Sequence, residues 1–172
     1  MQKKTAAGLI LGKFMPPHLG HQHLIDFAKQ WVKDIFIVVE SIKDEPIPSE
    51  VRCQWVREMA PGCQVLHLSE HQAQEPSEVA DFWQQWRLCL NSLLPKKIDY
   101  VFASESYGGK LAAILGAEYI PVDPGRLGQC ISATELRRDP FAHWQRLPSC
   151  VKPYFLARIC LFGPESVGKS TL

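Results

Sequence analysis

The chain has 172 residues, enough for one α/β core, and its 19 lysines and arginines against 18 aspartates and glutamates leave a formal net charge of +1 at pH 7. That balance excludes a field that would draw the protein to nucleic acid or an anionic membrane. No apolar run approaches the roughly twenty residues that span a bilayer. No signal-peptide core follows Met1-Gln2-Lys3-Lys4-Thr5, so a cytoplasmic location is expected. The six cysteines (Cys53, Cys63, Cys89, Cys130, Cys150 and Cys160) lack any Cys-x-x-Cys pair, which suggests neither a zinc site nor a disulfide framework.

In chain order, Gly8-Leu9-Ile10-Leu11 reads as a buried strand, and Leu24-Ile25-Asp26-Phe27-Ala28 has helical apolar spacing. Between them lies Gly12-Lys13-Phe14-Met15-Pro16-Pro17-His18-Leu19-Gly20-His21, in the strand, tight loop, helix layout of a phosphate site. Gly12 lets the backbone approach a ligand, the prolines hold the loop extended, and Gly20 keeps the first helical turn uncrowded. With a helix starting near Leu19, His18 and His21 are three apart and lean towards one spot above its N-terminus. An anion there meets two imidazoles, the helix dipole and Lys13, as a transferring phosphoryl group requires.

The first helix should end near Trp31, and Asp34–Glu40 should form a second, parallel strand after a right-handed crossover. Ser41–Pro48 is then a loop on the ligand side, and Ser49 an N-cap for a helix carrying Arg52, Trp55 and Met59 that ends at Pro61-Gly62. On that helix Arg52 suits solvent and Trp55 the core. Val65–Leu68 is a short third strand. A long helix capped by Ser77 follows, with Phe82, Trp83, Trp86, Leu90 and Leu93. Its tryptophans suit a core, but at the mouth of a nucleotide site Trp83 can instead stack on a pyridinium ring, worth about 1–2 kcal/mol.

Ile98–Ala103 is the fourth strand. Its carboxyl-end loop, Ser104-Glu105-Ser106-Tyr107-Gly108-Gly109, places Ser104 and Glu105 on the ligand side. A helix from Lys110 stops at Gly116, and Ala117–Val122 is a fifth strand whose proline points to an edge. Ser132 caps a last helix, offering a second anion cradle, and Arg137 lies on it with the fork geometry that grips phosphate. From Phe141 to Leu156 two short helices lead out of the domain, with Trp144 as a core anchor. Ala157–Phe162 is a new strand running into Gly163-Pro164-Glu165-Ser166-Val167-Gly168-Lys169-Ser170, a full Gly-x-x-x-x-Gly-Lys-Ser P-loop. Since Leu172 ends the chain before any P-loop helix or acidic metal ligand, this loop is expected to be inert and disordered here.

His18-Leu19-Gly20-His21 resembles the His-x-Gly-His signature of the nucleotidyltransferase superfamily, and Ile131-Ser132 with Arg137 its second signature, Ile-Ser-x-x-x-x-Arg. With Gly12-Lys13-Phe14, Arg52 and Trp55, Trp83, Ser104-Glu105, Val122-Asp123-Pro124-Gly125-Arg126, Val151-Lys152-Pro153-Tyr154-Phe155 and the closing P-loop, nearly the whole chain resembles the bacterial bifunctional nicotinamide-nucleotide adenylyltransferase and ribosylnicotinamide kinase family. The resemblance implies a three-layer α/β fold with a doubly wound parallel sheet. It divides the chain into an adenylyltransferase domain, 1–156, and the start of a truncated kinase domain, 157–172.

The implied reaction transfers AMP from ATP, carrying Mg2+, to nicotinamide mononucleotide, giving NAD and pyrophosphate. His18, His21, Lys13 and Arg137 would be catalytic, and Gly12, Phe14, Gly20, Ser132 and Thr134 would bind ATP. Trp83, Ser104, Glu105, Asp123, Arg126 and Arg52 would meet the acceptor, with Gly163, Gly168, Lys169 and Ser170 belonging to the kinase P-loop. No protein metal ligand is implied, a homo-oligomer is compatible, and nothing supports the N-terminal helix-turn-helix of repressor relatives. The alternatives are transfer to another phosphorylated acceptor and a non-catalytic nucleotide sensor.

Overall fold

The computed structural model describes residues 3–69, 80–123 and 132–156. Five strands form one parallel sheet: β1 (Lys3–Gly12), β2 (Val32–Glu40), β3 (Gln64–Leu68), β4 (Tyr100–Ala103) and β5 (Glu118–Pro121), in the order β3-β2-β1-β4-β5. Helices α1 (Leu19–Trp31), α2 (Ser49–Met59), α3 (Phe82–Leu93) and α4 (Tyr107–Leu115) make the crossovers. Chain order reverses between β1 and β4, so the loops leaving these strands diverge and open a crevice at their carboxyl ends. This is the expected doubly wound α/β fold.

Alternation along the strands divides the core into two layers. Ile10, Ile35, Ile37, Val39 and Phe102 pack with Leu24, Ile25 and Ala28 of α1 and Cys53 and Val56 of α2. Leu9, Phe36, Val38 and Val101 face the other way, against Phe82, Trp86 and Leu90 of α3 and Leu111 of α4. Because both faces are covered, β2 is buried continuously from Ile35 to Glu40. A third cluster, Ile47, Trp55, Leu136, Leu147 and Val151, ties α2 to α5 (Ala133–Arg138) and to the 3-10 turns Trp144–Arg146 and Lys152–Phe155. Trp55 is thus core, as expected, and Trp144 packs partly buried against the same cluster.

Several boundaries differ from those expected. Ser49 is the first residue of α2, with Pro48 in the cap position and no side-chain cap bond. Helix α3 begins at Phe82 with Asp81 in the cap position, and Ser77, the expected cap, lies outside the described residues. Helix α4 starts at Tyr107 rather than Lys110, taking Gly108 and Gly109 out of the preceding loop. The two helices expected after Phe141 are 3-10 turns. By contrast Gly116 ends α4 as expected, in the left-handed region at φ 65°, and β5 lies at the sheet edge, which tolerates Pro121. Cys53, Cys63, Cys89 and Cys150 are free thiols, and Cys130 and Cys160 lie outside the described residues.

The early start of α4 depends on a close approach. A Cβ at Gly108 would stand 2.5 Å from Tyr119 Cε2 and 2.8 Å from Ala103 Cβ. The tyrosine ring cannot retreat freely, because its hydroxyl bonds the carbonyls of Ala103 (3.3 Å) and Glu105 (3.2 Å). Gly108→Ala should lower unfolding stability by about 1–2 kcal/mol, despite the helix-propensity gain of up to about 1 kcal/mol that alanine usually brings. Urea denaturation checks this; an unchanged or raised midpoint would show that the ring yields.

Candidate active site

A cleft of about 720 Å³ opens at the carboxyl edge of the sheet, within the roughly 300–1,000 Å³ typical of ligand pockets. Its lining includes the ends of β1 (Leu11, Gly12), β2 (Glu40) and β4 (Ala103), with Ser104, Glu105 and Asp123 beyond the strands.

One wall is the start of α1. His18 is the N-cap residue and its Nδ1 accepts the Gly20 N–H at 3.1 Å, while His21, three residues on, accepts the His18 N–H on its own Nδ1 at 3.2 Å. Two histidines therefore make the reciprocal capping box that Ser and Glu usually make. Both Nδ1 atoms act as acceptors, so each neutral ring must carry its proton on Nε2. The ring centroids are 3.9 Å apart and both rings line the cleft. Desolvation, then the neighbouring His18, holds His21 well below its ordinary pKa of 6.5. The His21 ring is thus a neutral N–H donor at physiological pH. It also packs on Phe14, whose ring centroid is 4.7 Å away. Phe14 itself is buried with φ 49°, and a Cβ on Gly12 would come within 3.3 Å of its Cε2. Gly12 thus makes room for the Phe14 ring, in addition to bordering the cleft.

Lys13 and Arg137 also line the cleft, each held by protein. Lys13 Nζ stands 3.7 Å from Glu45 Oε1. The Arg137 guanidinium donates to the Met15 carbonyl and, at 3.1 Å, to Thr134 Oγ1, joining α5 to the loop after β1. Ser132 caps α5, but its hydroxyl accepts the Glu135 N–H (3.2 Å) and contacts Glu135 Oε2 (3.0 Å). The helix's own capping box thus uses the Glu135 amide of the first turn, and Ser132, Ala133 and Thr134 border the cleft.

Gly20, Ser132, Thr134, Trp83, Ser104, Glu105 and Asp123 border the same cleft. Trp83 is half-buried and meets Phe82 edge-on, and with Trp86 they form an aromatic part of the cleft lining. Arg52 is the exception. It was expected in solvent or on the acceptor, yet it is wholly buried and donates to the carbonyls of Lys13 (2.6 Å) and Glu40 (3.0 Å) and to Glu45. The helix thereby ties the loop after β1 to the carboxyl end of β2. Arg126 and the P-loop residues Gly163, Gly168, Lys169 and Ser170 lie outside the described residues.

Sequence reading missed Glu40, Glu45 and Tyr107. An acid closing an apolar strand, as Glu40 does, is a readable signal. Tyr107 carries none, although its buried hydroxyl donates to the Leu11 carbonyl at 2.7 Å and is pushed above its usual pKa by burial. Among the described residues no cluster of three or more His, Cys, Asp or Glu side chains could hold a metal ion, and no helix is long and apolar enough to cross a membrane.

No family model matches the chain. The trifunctional NAD biosynthesis/regulator protein NadR of Escherichia coli is 28% identical across 99% of the chain, and its Salmonella typhimurium counterpart 26% across 99%. The chain is homologous to the NadR proteins. It spans about half their length, 45% and 46%. Among solved structures, a NadR protein in complex with NAD and AMP-PNP superposes with a TM-score of 0.71 at 24% identity, over 99% of this chain and 52% of that one. A bifunctional NMN adenylyltransferase/ADP ribose pyrophosphatase from Francisella tularensis, complexed with AMP and a manganese ion, gives 0.61 at 22% identity, over 84% and 44%. These structural likenesses carry the fold.

The lowered pKa of His21 makes the fold acid-sensitive. Above pH 6.5 the ring is neutral in both folded and unfolded chains and the full stability is present. Below 6.5 the unfolded chain takes up a proton that the folded one refuses, so stability falls with pH down to the folded pKa. The slope from this ring is at most about 1.4 kcal/mol per pH unit, and less insofar as water reaches it through the cleft. His21→Asn should flatten the stability profile below pH 6.5 in denaturant titrations; an unchanged slope would contradict the assignment.

Proposed function

We propose that the chain transfers AMP from MgATP to nicotinamide mononucleotide, releasing pyrophosphate, with 1–156 as the adenylyltransferase unit and 157–172 opening a kinase unit. A phosphate oxygen of the acceptor forms the new bond to the α-phosphorus as the bond to the bridging oxygen of pyrophosphate breaks. An ionised phosphate nucleophile needs no general base, so the protein's task is to align two anions and stabilise charge moving to the leaving group.

The observation that carries this reading is the pair of Nδ1-anchored imidazoles. Each keeps an Nε2–H for phosphate oxygens, and a neutral His21 donates that bond without giving up a full proton to the phosphate. Lys13 and Arg137 meet the β and γ oxygens. Arg137 also holds the Met15 carbonyl, which joins the phosphate-facing guanidinium to the loop after β1. Among the described residues no cluster of His, Cys, Asp or Glu would hold a cation, and magnesium enters as part of the nucleotide substrate. The aromatic wall of Trp83 and Trp86 suits a flat acceptor ring, with Ser104, Glu105 and Asp123 about it. That solved NadR structures hold NAD, AMP-PNP and NR supports ligands of this size and chemistry.

Incubating the protein with ATP, magnesium and a panel of phosphorylated acceptors should release pyrophosphate with nicotinamide mononucleotide. His21→Ala should cut kcat by about a hundredfold or more, the cost of losing one pre-organised donor. Turnover on another acceptor would reassign the substrate, ATP binding without turnover would make the chain a sensor, and near-normal turnover of His21→Ala would remove the imidazole from the mechanism.

A further inference from the structure

Lys13 is the one lysine lining the cleft among the described residues, and its carboxylate neighbour is built in an unusual way. A left-handed residue, Asp44 at φ 63°, turns the loop after β2 so that Glu45 points inward, its side chain only 6% exposed. Glu45 Oε2 is fully engaged, accepting the Ile42 N–H at 3.2 Å and the Arg52 guanidinium. Oε1 is buried and has no hydrogen-bond partner among the described residues. The Lys13 ammonium, 3.7 Å away and beyond hydrogen-bond distance, is the cation it faces. Arg52 is fixed to two strand ends, so Glu45 cannot follow Lys13 if that chain swings into the cleft it borders.

We propose that Glu45 is a positioning residue that competes with the triphosphate for Lys13. The inference rests on the adenylyltransferase reading and deepens it. With Lys13 beside Glu45, the loop presents less positive charge to the cleft. When Lys13 moves to phosphate, it leaves a buried carboxylate oxygen with only Arg52 for compensation, a cost charged to every bound polyphosphate. The parked lysine therefore weakens the grip on substrate and on pyrophosphate alike and eases product departure. A purely structural Glu45 would hold the loop without this opposition.

The test is a double-mutant cycle of Glu45→Gln and Lys13→Met, with binding of MgATP and of magnesium pyrophosphate measured by calorimetry. Glu45→Gln should tighten both ligands about two- to fivefold, the scale of a part-exposed ion pair, and should do so only while Lys13 is present. In steady-state assays the KM for ATP should fall, and kcat should fall or stay level as product leaves more slowly. Where Glu45→Gln fails to fold, Glu45→Asp, which keeps charge near Arg52 while drawing it back from Lys13, carries the same expectation. Weaker binding, or an equal change with and without Lys13, overturns the proposal. A wild-type chain that binds neither ligand overturns the adenylyltransferase reading itself, and this inference with it.

Discussion

Two backbone amides at the start of α1 decide the chemistry of the cleft. By donating to the Nδ1 atoms of His18 and His21, the His18 and Gly20 N–H groups fix both rings in place and fix which nitrogen carries the proton. The helix would leave those amides unsatisfied in any case, so the same bonds that begin α1 also aim two donors at one region. On the proposed reading, function and helix initiation are one interaction, and replacing either histidine removes a capping bond as well as a donor.

A second constraint lies beneath the loop. The buried Arg52 donates to the Lys13 carbonyl just past β1 and to the Glu40 carbonyl at the end of β2, while Glu45 balances its charge. Burying a guanidinium is tolerable only when its donors are nearly all engaged, and of these Nε lacks a partner among the described residues. The loop bearing Lys13, Phe14 and Met15 is pinned from below by Arg52 and from the side by Arg137, which reaches across from α5 to the Met15 carbonyl. Cleft shape therefore depends on three separate segments of chain meeting at one loop.

Much of this was legible in the sequence. The uninterrupted apolar run before Glu40 announced a strand covered on both faces, and the spacing of His18 and His21 announced two rings on one side of a helix start. Motif position alone placed Trp83, Ser104, Glu105 and Asp123 near the crevice, since each follows or faces a strand's carboxyl end. What could not be read were contacts between distant segments. Nothing local to Arg52 says that it will be buried, because its partners are backbone carbonyls of Lys13 and Glu40, exposed only once the sheet has formed. Helix α4 began early because Gly108 fits against Tyr119, eleven residues later, and no local propensity encodes that approach. Ser132 was legible as the cap of α5, whereas Glu135, which closes the box by returning to the serine's own N–H, went unread.

The proposed chemistry requires imidazoles pre-set as neutral Nε2–H donors. Long-range nitrogen–proton correlation spectroscopy of the histidine side chains reads that state. At pH 7 the protein should show His18 and His21 as Nε2–H tautomers, with His21 remaining neutral as the pH is lowered through its ordinary value of 6.5. An Nδ1–H signal from either ring, or titration of His21 near 6.5, would contradict it.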